Sequence, residues 1–360
     1  MSRLRYLRRD LLLFTASAGW PCALRASELN DSGRSFATEW NSFRKIFVSS
    51  DGRVVDTGNG NVSHSEGQGY GLLFAEQADD RESYDRILAW TRDVLQIRPN
   101  DKLHAWRFQP HTRVAVSDTN NATDGDLLIA LGLVRGGRRW NRPELLEQAA
   151  VIYADILRRT TGEIAGRSIL LPAAEGFVKP DEIVVNLSYL MFPSLIAAST
   201  LASGTAERAR WQRLIQDGLA LIGQARFGRW SLPPDWMRLS TFSPPQPAKA
   251  WPPRFSFDAV RIPLYLYWAA LADPAGQDRF AAYWNSFGED ALPAWVDLET
   301  GDQAPYRASA GVHAVAACTG LALPPDTESA GSSSVAIDPD YYSSALLLLT
   351  RVARLERSRA

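Results

Sequence analysis

The sequence predicts an all-α fold on three observations. Eleven segments carry apolar residues at three- and four-residue spacings, strand-like runs are scarce, and the helical segments are joined by connections of unequal length. The first helical segments are TEWNSFRKIF, GLLFAEQA and ESYDRILAWTRDVL, followed by DLLIALGLV, PELLEQAAVIYADILRR and LSYLMFPSLIAAS. The second half supplies ERARWQRLIQDGLALIGQA, LYLYWAALA, DRFAAYWNSFG, SAGVHAVAAC and YYSSALLLLTRVARL. Only GRVVDT, GEIA and SILLP look like strands, and they are short enough to be small hairpins or rims. There is no clean sequence repeat, but helices spaced a few tens of residues apart suit a toroid of helical hairpins.

Of the 360 residues, 46% are hydrophobic and 22% charged, which is ordinary globular composition and excludes disorder for most of the chain. The opening, MSRLRYLRRDLLLFTASAGWPCALRAS, has a basic start, a short apolar run from Leu11 to Ala18 and small residues near Ala26, the pattern of a secretory signal. Arg8-Arg9 before DLLLF also fits a twin-arginine signal. The alternative, a buried N-terminal helix, is disfavoured by the shortness of the apolar run and its flanking arginines. Residues 1–26 are therefore expected to be a removable leader, and residues 27–360 a single catalytic domain in the periplasm or outside the cell.

Without the leader, 34 basic and 39 acidic side chains remain, a net charge near −5 that argues against a polyanionic partner such as nucleic acid. Cys22 lies in the leader, so Cys318 has no partner for a disulfide within the mature chain. No later run approaches the roughly 18 apolar residues of a membrane span. A mature chain without a span, acting as a monomer, is expected.

Two long loops stand out. Leu232 to Pro253 carries seven prolines in a segment crowded by Trp236, Phe242 and Trp251, with Trp230 just before it, and Leu323 to Pro339 is rich in Ser and Pro. Large aromatics serve no purpose in a flexible linker, so functional loops on one rim are expected.

Three helix starts carry carboxylates. In NVSHSEGQGYGLLFAEQA, Ser63 and Glu66 stand in the spacing of a capping box. Against that purely structural role, Gly67, Gly69 and Gly71 occupy the first turns of the helix, each costing about 1 kcal/mol relative to Ala. Glycines there admit close approach of another chain and leave the neighbouring carboxylate accessible, while Tyr70 offers a flat face with a polar tip suited to sugar. In SDTNNATDGDLLIALGLV, Asn121 or Thr123 can cap, and of Asp124 and Asp126 at most one is needed to complement the helix dipole. In RFSFDAVRIPLYLYWA, either Ser256 caps a helix that includes Asp258, or Pro263 is the first helical residue and Asp258 lies on the loop before it. An Asp258–Arg261 ion pair without chemistry is the bland alternative, worth about 0.5 kcal/mol if exposed.

If these helices run parallel inside a barrel, their carboxylates form one acidic rim. Two carboxyl groups facing across a cleft are the minimum apparatus of glycoside hydrolysis, and crowding raises at least one carboxyl pKa as a general acid requires. Other chemistries fit poorly. His64, His104, His111 and His313 make no HExxH or other ligand spacing, so no catalytic zinc and no cofactor are expected. There is also no GxSxG elbow, Walker loop or dinucleotide fingerprint, and GNGN from Gly58 to Asn61 is a turn.

HSEGQGYG, ATDGDL, LSYL, LPPDW, FDAVRIPLY and YYSSALLLL occur in the order and spacing of glycoside hydrolase family 8 between about Phe36 and Leu349, HSEGQGYG and ATDGDL being the most specific. The chain resembles that family's bacterial periplasmic cellulases associated with cellulose synthesis. The resemblance implies an (α/α) six-hairpin barrel with an open cleft at one end, single-displacement hydrolysis of a β-glucan and no cofactor. It also implies the cellulose-synthesis machinery as a partner.

By motif position the resemblance makes Glu66 the general acid and Asp258 the general base. Asp124 would hold the distorted sugar, Tyr189 would help place the water, Arg261 would stand beside the base, and Trp106 would stack on sugar. VNLSY departs from the more usual NPSY-type sequence before Tyr189, and Gly125 stands where alanine is common. The family also contains chitosanases, lichenases and xylan-acting enzymes, so another β-glycan hydrolase of the family, a chitosanase first, is the alternative enzyme reading. A glycan-binding or assembly factor without turnover is the alternative of another class, and retention of both Glu66 and Asp258 argues against it.

Overall fold

The computed structural model describes residues 26–275, 278–288, 291–322 and 340–359. Apart from Ala26 the expected leader lies outside the described residues, as does the Ser/Pro-rich stretch from 323 to 339. Eleven α-helices occur among the described residues. They are α1 (Ala26–Phe47), α2 (Ser65–Gln77), α3 (Arg81–Trp90), α4 (Thr123–Arg139), α5 (Pro143–Arg159), α6 (Phe192–Leu201), α7 (Thr205–Gln224), α8 (Arg261–Trp268), α9 (Arg279–Trp284), α10 (Ala310–Cys318) and α11 (Tyr341–Arg357).

The helices form an (α/α) barrel. Helix α2 packs on α4, α4 on α6, α6 on α8, α8 on α10 and α11, and α11 returns to α2, closing an inner ring. Outside it α3 lies on α2, α5 on α4 and α7 on α6. The sequence distinguishes the two layers. Outer α5 buries Leu145, Ala149, Ile152, Tyr153 and Ile156 along one stripe, whereas every residue of inner α2 except Glu66 is buried. Glu66 is thus the one residue of α2 that stands outside the core.

The glycines of α2 account for its position. A Cβ on Gly69 would stand 2.5 Å from Cβ of Leu128 on α4, so α2 and α4 meet with no side chain between them at that point. Gln68 ties the same helix to its surroundings: Oε1 accepts from Val54 N at 2.6 Å, and Nε2 donates to Thr91 Oγ1 at 2.8 Å. Thr91 opens the π-helical turn Thr91–Leu95 that continues α3.

Several helix limits differ from the sequence expectation. LSYLMFPSLIAAS is not one helix: Leu187–Tyr189 is a 3₁₀ turn, capped by Asn186 Oδ1 accepting from Ser188 N, and α6 begins at Phe192 with proline next. Helix α8 stops at Trp268 and α9 spans only Arg279–Trp284. GEIA and SILLP do pair, as β3 (Thr161–Ile164) and β4 (Arg167–Leu170), through a turn in which Ala165 and Gly166 both have positive φ. β1 (Ser63–His64) pairs with β2 (Arg107–Phe108).

The Pro-rich segment is less irregular than expected. It supplies β7 (Met237–Ser240) and β8 (Gln246–Pro247), which join β5 (Val178–Lys179) and β6 (Glu182–Val185) in a four-stranded antiparallel sheet of order β5-β6-β7-β8. Its four aromatics do not form one cluster. Trp236 and Trp251 stack at 4.6 Å and Phe177 covers the stack at 5.7 Å, but Trp230 packs on Tyr283 and Phe287, and Phe242 is exposed.

Candidate active site

The starts of α2, α4 and α8 meet at one end of the barrel, as a parallel inner ring requires. Arg261, the first residue of α8, joins them: Nη2 donates to Asp258 Oδ1 at 2.7 Å and lies 4.0 Å from Asp124 Oδ2, and Nη1 is 3.4 Å from Glu66 Oε1. Its side chain is 6% exposed, so the exposed ion pair weighed as a bland alternative is not what the structure contains. Nη2 also donates to Ser188 Oγ and Nη1 to Phe257 O, whereas Nε is buried without a partner. The side-chain exposures of the three carboxylates are 9% for Asp124, 25% for Glu66 and 29% for Asp258. The Glu66 and Asp258 side chains are therefore partly open to solvent, while that of Asp124 is nearly closed off.

Local structure resolves the alternatives left open by the sequence. Ser63 belongs to β1, and α2 is preceded by His64 without a side-chain cap, so there is no capping box. Neither Asn121 nor Thr123 caps α4, which follows Ala122 without a side-chain cap; Thr123 Oγ1 donates instead to Leu171 O. Asp126 is the structural aspartate of its pair: Oδ1 accepts from His104 N at 2.9 Å and lies 2.8 Å from His104 Nδ1, and Oδ2 accepts from Asn121 Nδ2 at 2.9 Å. Asp124 is the spare one, with Oδ1 accepting from Gly125 N. Helix α8 starts two residues before Pro263, and Asp258 lies on the turn ahead of it, while Ser256 gives its hydroxyl to Asp235 and caps nothing.

Burial pushes the Asp124 carboxyl well above the usual aspartate range, reinforced by the charge of Glu66 and only partly opposed by Arg261. Asp258 is raised too, again first by burial, with Arg261 pulling the other way. Burial likewise raises the phenols of Tyr70 and Tyr189. The Tyr70 hydroxyl donates to Glu66 Oε1 at 3.0 Å, so Tyr70 orients a carboxyl in place of a sugar face; its ring is buried and stacks on Phe74. Tyr189 borders the same carboxylates and meets Trp236 edge to face at 6.2 Å.

Trp106 is on this rim as well. Its carbonyl accepts from Ser65 N at 3.0 Å, its indole donates to Asp118 Oδ2 at 2.8 Å, and the Arg107 guanidinium covers its ring at 4.3 Å. Gly125 has a local reason. A Cβ there would stand 2.1 Å from Oγ of fully buried Ser65 and 2.7 Å from Glu66 N.

Sequence reasoning missed two residues. Asn186 stands in VNLSY with no spacing signal of its own, yet its side chain lies beside Asp258 and favours the ionised carboxylate. Asp235 stands likewise in LPPDW, and its carboxylate holds the backbone on either side of Asp258. Both use their side-chain oxygens on the backbone of a turn, which no spacing rule encodes.

A helical barrel whose inner-helix starts gather carboxylates around one arginine, beside aromatic rings, is the arrangement of a glycoside hydrolase. The profile of glycosyl hydrolases family 8 matches residues 13–356, and the chain belongs to that family. It is similar to a probable endoglucanase of Novacetimonas hansenii, 47% identical over 324 residues that cover 89% of this chain and 92% of the relative. Among solved structures it resembles the endo-β-1,4-glucanase CMCax from Acetobacter xylinum, with TM-score 0.82 and 46% identity over 90% of this chain and 99% of that one. The family 8 endoglucanase Cel10 from Klebsiella pneumoniae also has TM-score 0.82, with 36% identity over 89% of this chain and 99% of that one.

Proposed function

We propose that Glu66 is the general acid and Asp258 the general base of an inverting endo-β-1,4-glucanase acting on cellulose-like chains. Endo-acting hydrolysis of β-1,4-glucan is the activity of this chain. The observation that carries the assignment of groups is the exposure order around Arg261, in which the side chains of Glu66 and Asp258 are partly open to solvent and that of Asp124 is nearly closed off.

In this reading Glu66 protonates the leaving oxygen, its carboxyl oriented through Oε1 by the Tyr70 hydroxyl. Asp258 takes a proton from the water that attacks the opposite face of the sugar, and the charge it would otherwise share with Glu66 is separated by the guanidinium between them. Tyr189 helps place that water, Asp124 holds the distorted sugar, and Trp106 stacks on the glucan.

The reading extends to an exported monomer freed of residues 1–26, supported by the order of basic, apolar and small residues in that stretch. A partnership with cellulose-synthesis machinery rests on the motif resemblance alone.

The anomeric proton signals of a cellopentaose digest test the assignment. The first product is expected to be the α-anomer, and both Glu66→Gln and Asp258→Asn are expected to lose turnover by orders of magnitude while still binding substrate. Initial β-product refutes inversion. An Asp258→Asn enzyme that still turns over, beside an inactive Asp124→Asn enzyme, moves the base to Asp124.

A further inference from the structure

We infer that Asp235 is a positioning residue for the general base, clamping the turn that carries Asp258 and placing a second negative charge behind it. The inference rests on the reading of Asp258 as base.

Asp235 lies 23 residues before Asp258, just ahead of β7, and its carboxylate is filled by donors from the Asp258 turn. Oδ1 accepts from Ala259 N at 2.8 Å, Ser256 N at 3.1 Å and Asp258 N at 3.3 Å, while Oδ2 accepts from Ser256 Oγ. The backbone amide of Asp258 and those two positions before it and one position after are thereby tied to one anchor. Asp235 is itself held, its own N donating to Arg254 O at 2.7 Å. The turn around Asp258 has no regular structure until α8 begins at Arg261, so this anchor supplies the rigidity a positioned base needs.

The charge of the anchor matters as well. A buried aspartate satisfied by neutral donors leaves a full negative charge close to the base, and a like charge raises the base's proton affinity, which favours proton abstraction. The influence is mutual: Asp235 is pushed up to about 6, first by burial and then by the charge of Asp258, while the Ser256 and Ala259 hydrogen bonds pull it down. The other groups facing Asp258 are Arg261 from α8, Glu66 from α2, Asp124 from α4, Tyr189 from the 3₁₀ turn and Tyr342 from α11. Of these only Arg261 is a cation, so Asp235 and Arg261 act on the base in opposite directions.

The acceptor geometry gives a clean separation of clamp from charge. In Asp235→Asn the amide oxygen retains all three backbone bonds and the amide nitrogen faces the Ser256 hydroxyl, which turns to accept. The charge goes and the clamp stays. The acid limb of kcat/KM is then expected to move down by about one pH unit, with kcat lowered on the order of tenfold. Asp235→Ala removes both and is expected to lower kcat at least tenfold further with KM within about threefold of the parent, because misplacing a catalytic group by a fraction of an ångström is felt in turnover. Should the alanine variant fail to fold, Ser256→Ala removes one clamp bond alone and is expected to lower kcat without moving KM.

A parental pH profile and kcat for Asp235→Asn overturns the electrostatic half. An Asp235→Ala enzyme no slower than Asp235→Asn, or a Ser256→Ala enzyme with parental kcat where the alanine variant does not fold, overturns the clamp. Asp258→Asn measured alongside separates the two readings: if it is inactive while the Asp235 variants behave like the parent, only this inference fails, and if it retains turnover, the assignment of the base fails first.

Discussion

Arg261 Nη2 donates to Asp258 Oδ1 at 2.7 Å from a guanidinium that is almost entirely enclosed. The positive charge opposes the burial that raises the Asp258 carboxyl. Arg261→Gln removes it, so the Asp258 pKa is expected to rise and the acid limb of kcat/KM to move to higher pH. Glu66, Asp124 and Asp258 lose the guanidinium that stands within 4.0 Å of all three, so the melting temperature is expected to fall as well. A pH–rate profile combined with a thermal melt checks both. An unchanged acid limb counts against Asp258 as the titrating base.

Asp124 presents the opposite case. Its carboxyl is raised by burial and by Glu66, so the folded state holds the proton more tightly than the unfolded chain does. A group of this sign stabilises the fold below the unfolded pKa, about 3.9, and that contribution is lost as pH rises through the folded value. Asp124→Asn is therefore expected to raise the melting temperature at pH 7, with the gain shrinking towards pH 4, while turnover falls at least a hundredfold. Melts at both pH values decide it: a variant destabilised equally at each would show that Asp124 is held by favourable contacts.

Gly125 sits where a Cβ would collide with Ser65 Oγ and Glu66 N. Gly125→Ala is expected to cost about 1–3 kcal/mol by overpacking and to move the start of α2 away from α4, lowering kcat more than it changes KM. Parental melting temperature and kcat in the variant would mean that the two helix starts have slack.

Trp106→Ala is expected to weaken binding of glucan oligomers by about 1–3 kcal/mol with the fold intact, since the ring's own partners are the Arg107 guanidinium and Asp118. Calorimetric titration with cellopentaose reads this directly. Loss of folding with binding unchanged in the folded fraction would assign Trp106 to the core.

Helical periodicity revealed most of the barrel, because inner and outer helices alike need apolar residues in register, and α5 runs over the very residues, Pro143–Arg159, that the periodicity marks. Strands β7 and β8 were hidden by the prolines around them: a proline at Pro247 is tolerated at the outer edge of the sheet, where no ladder hydrogen bond is lost. Glu66, Asp124 and Asp258 were legible as carboxylates at helix starts, and the geometry around Arg261 brings them together. The sequence offers Tyr70 as a flat face for sugar, whereas in the structure its ring is buried against Phe74 and its hydroxyl donates to Glu66. Asp235 and Asn186 leave no mark on the sequence because their hydrogen-bond partners are the backbone of turns.

The direct contact of α2 with α4 at Gly69 and Leu128 fixes how far apart two of the carboxylates stand. At that point the two backbones set the spacing between the helices that carry Glu66 and Asp124, and a side chain added at Gly69 would force them apart. The Trp236–Trp251 stack beside Tyr189 is, by contrast, built of side chains, so its shape is set residue by residue. The spacing of the carboxylates and the shape of the rim are thus set by separate parts of the chain.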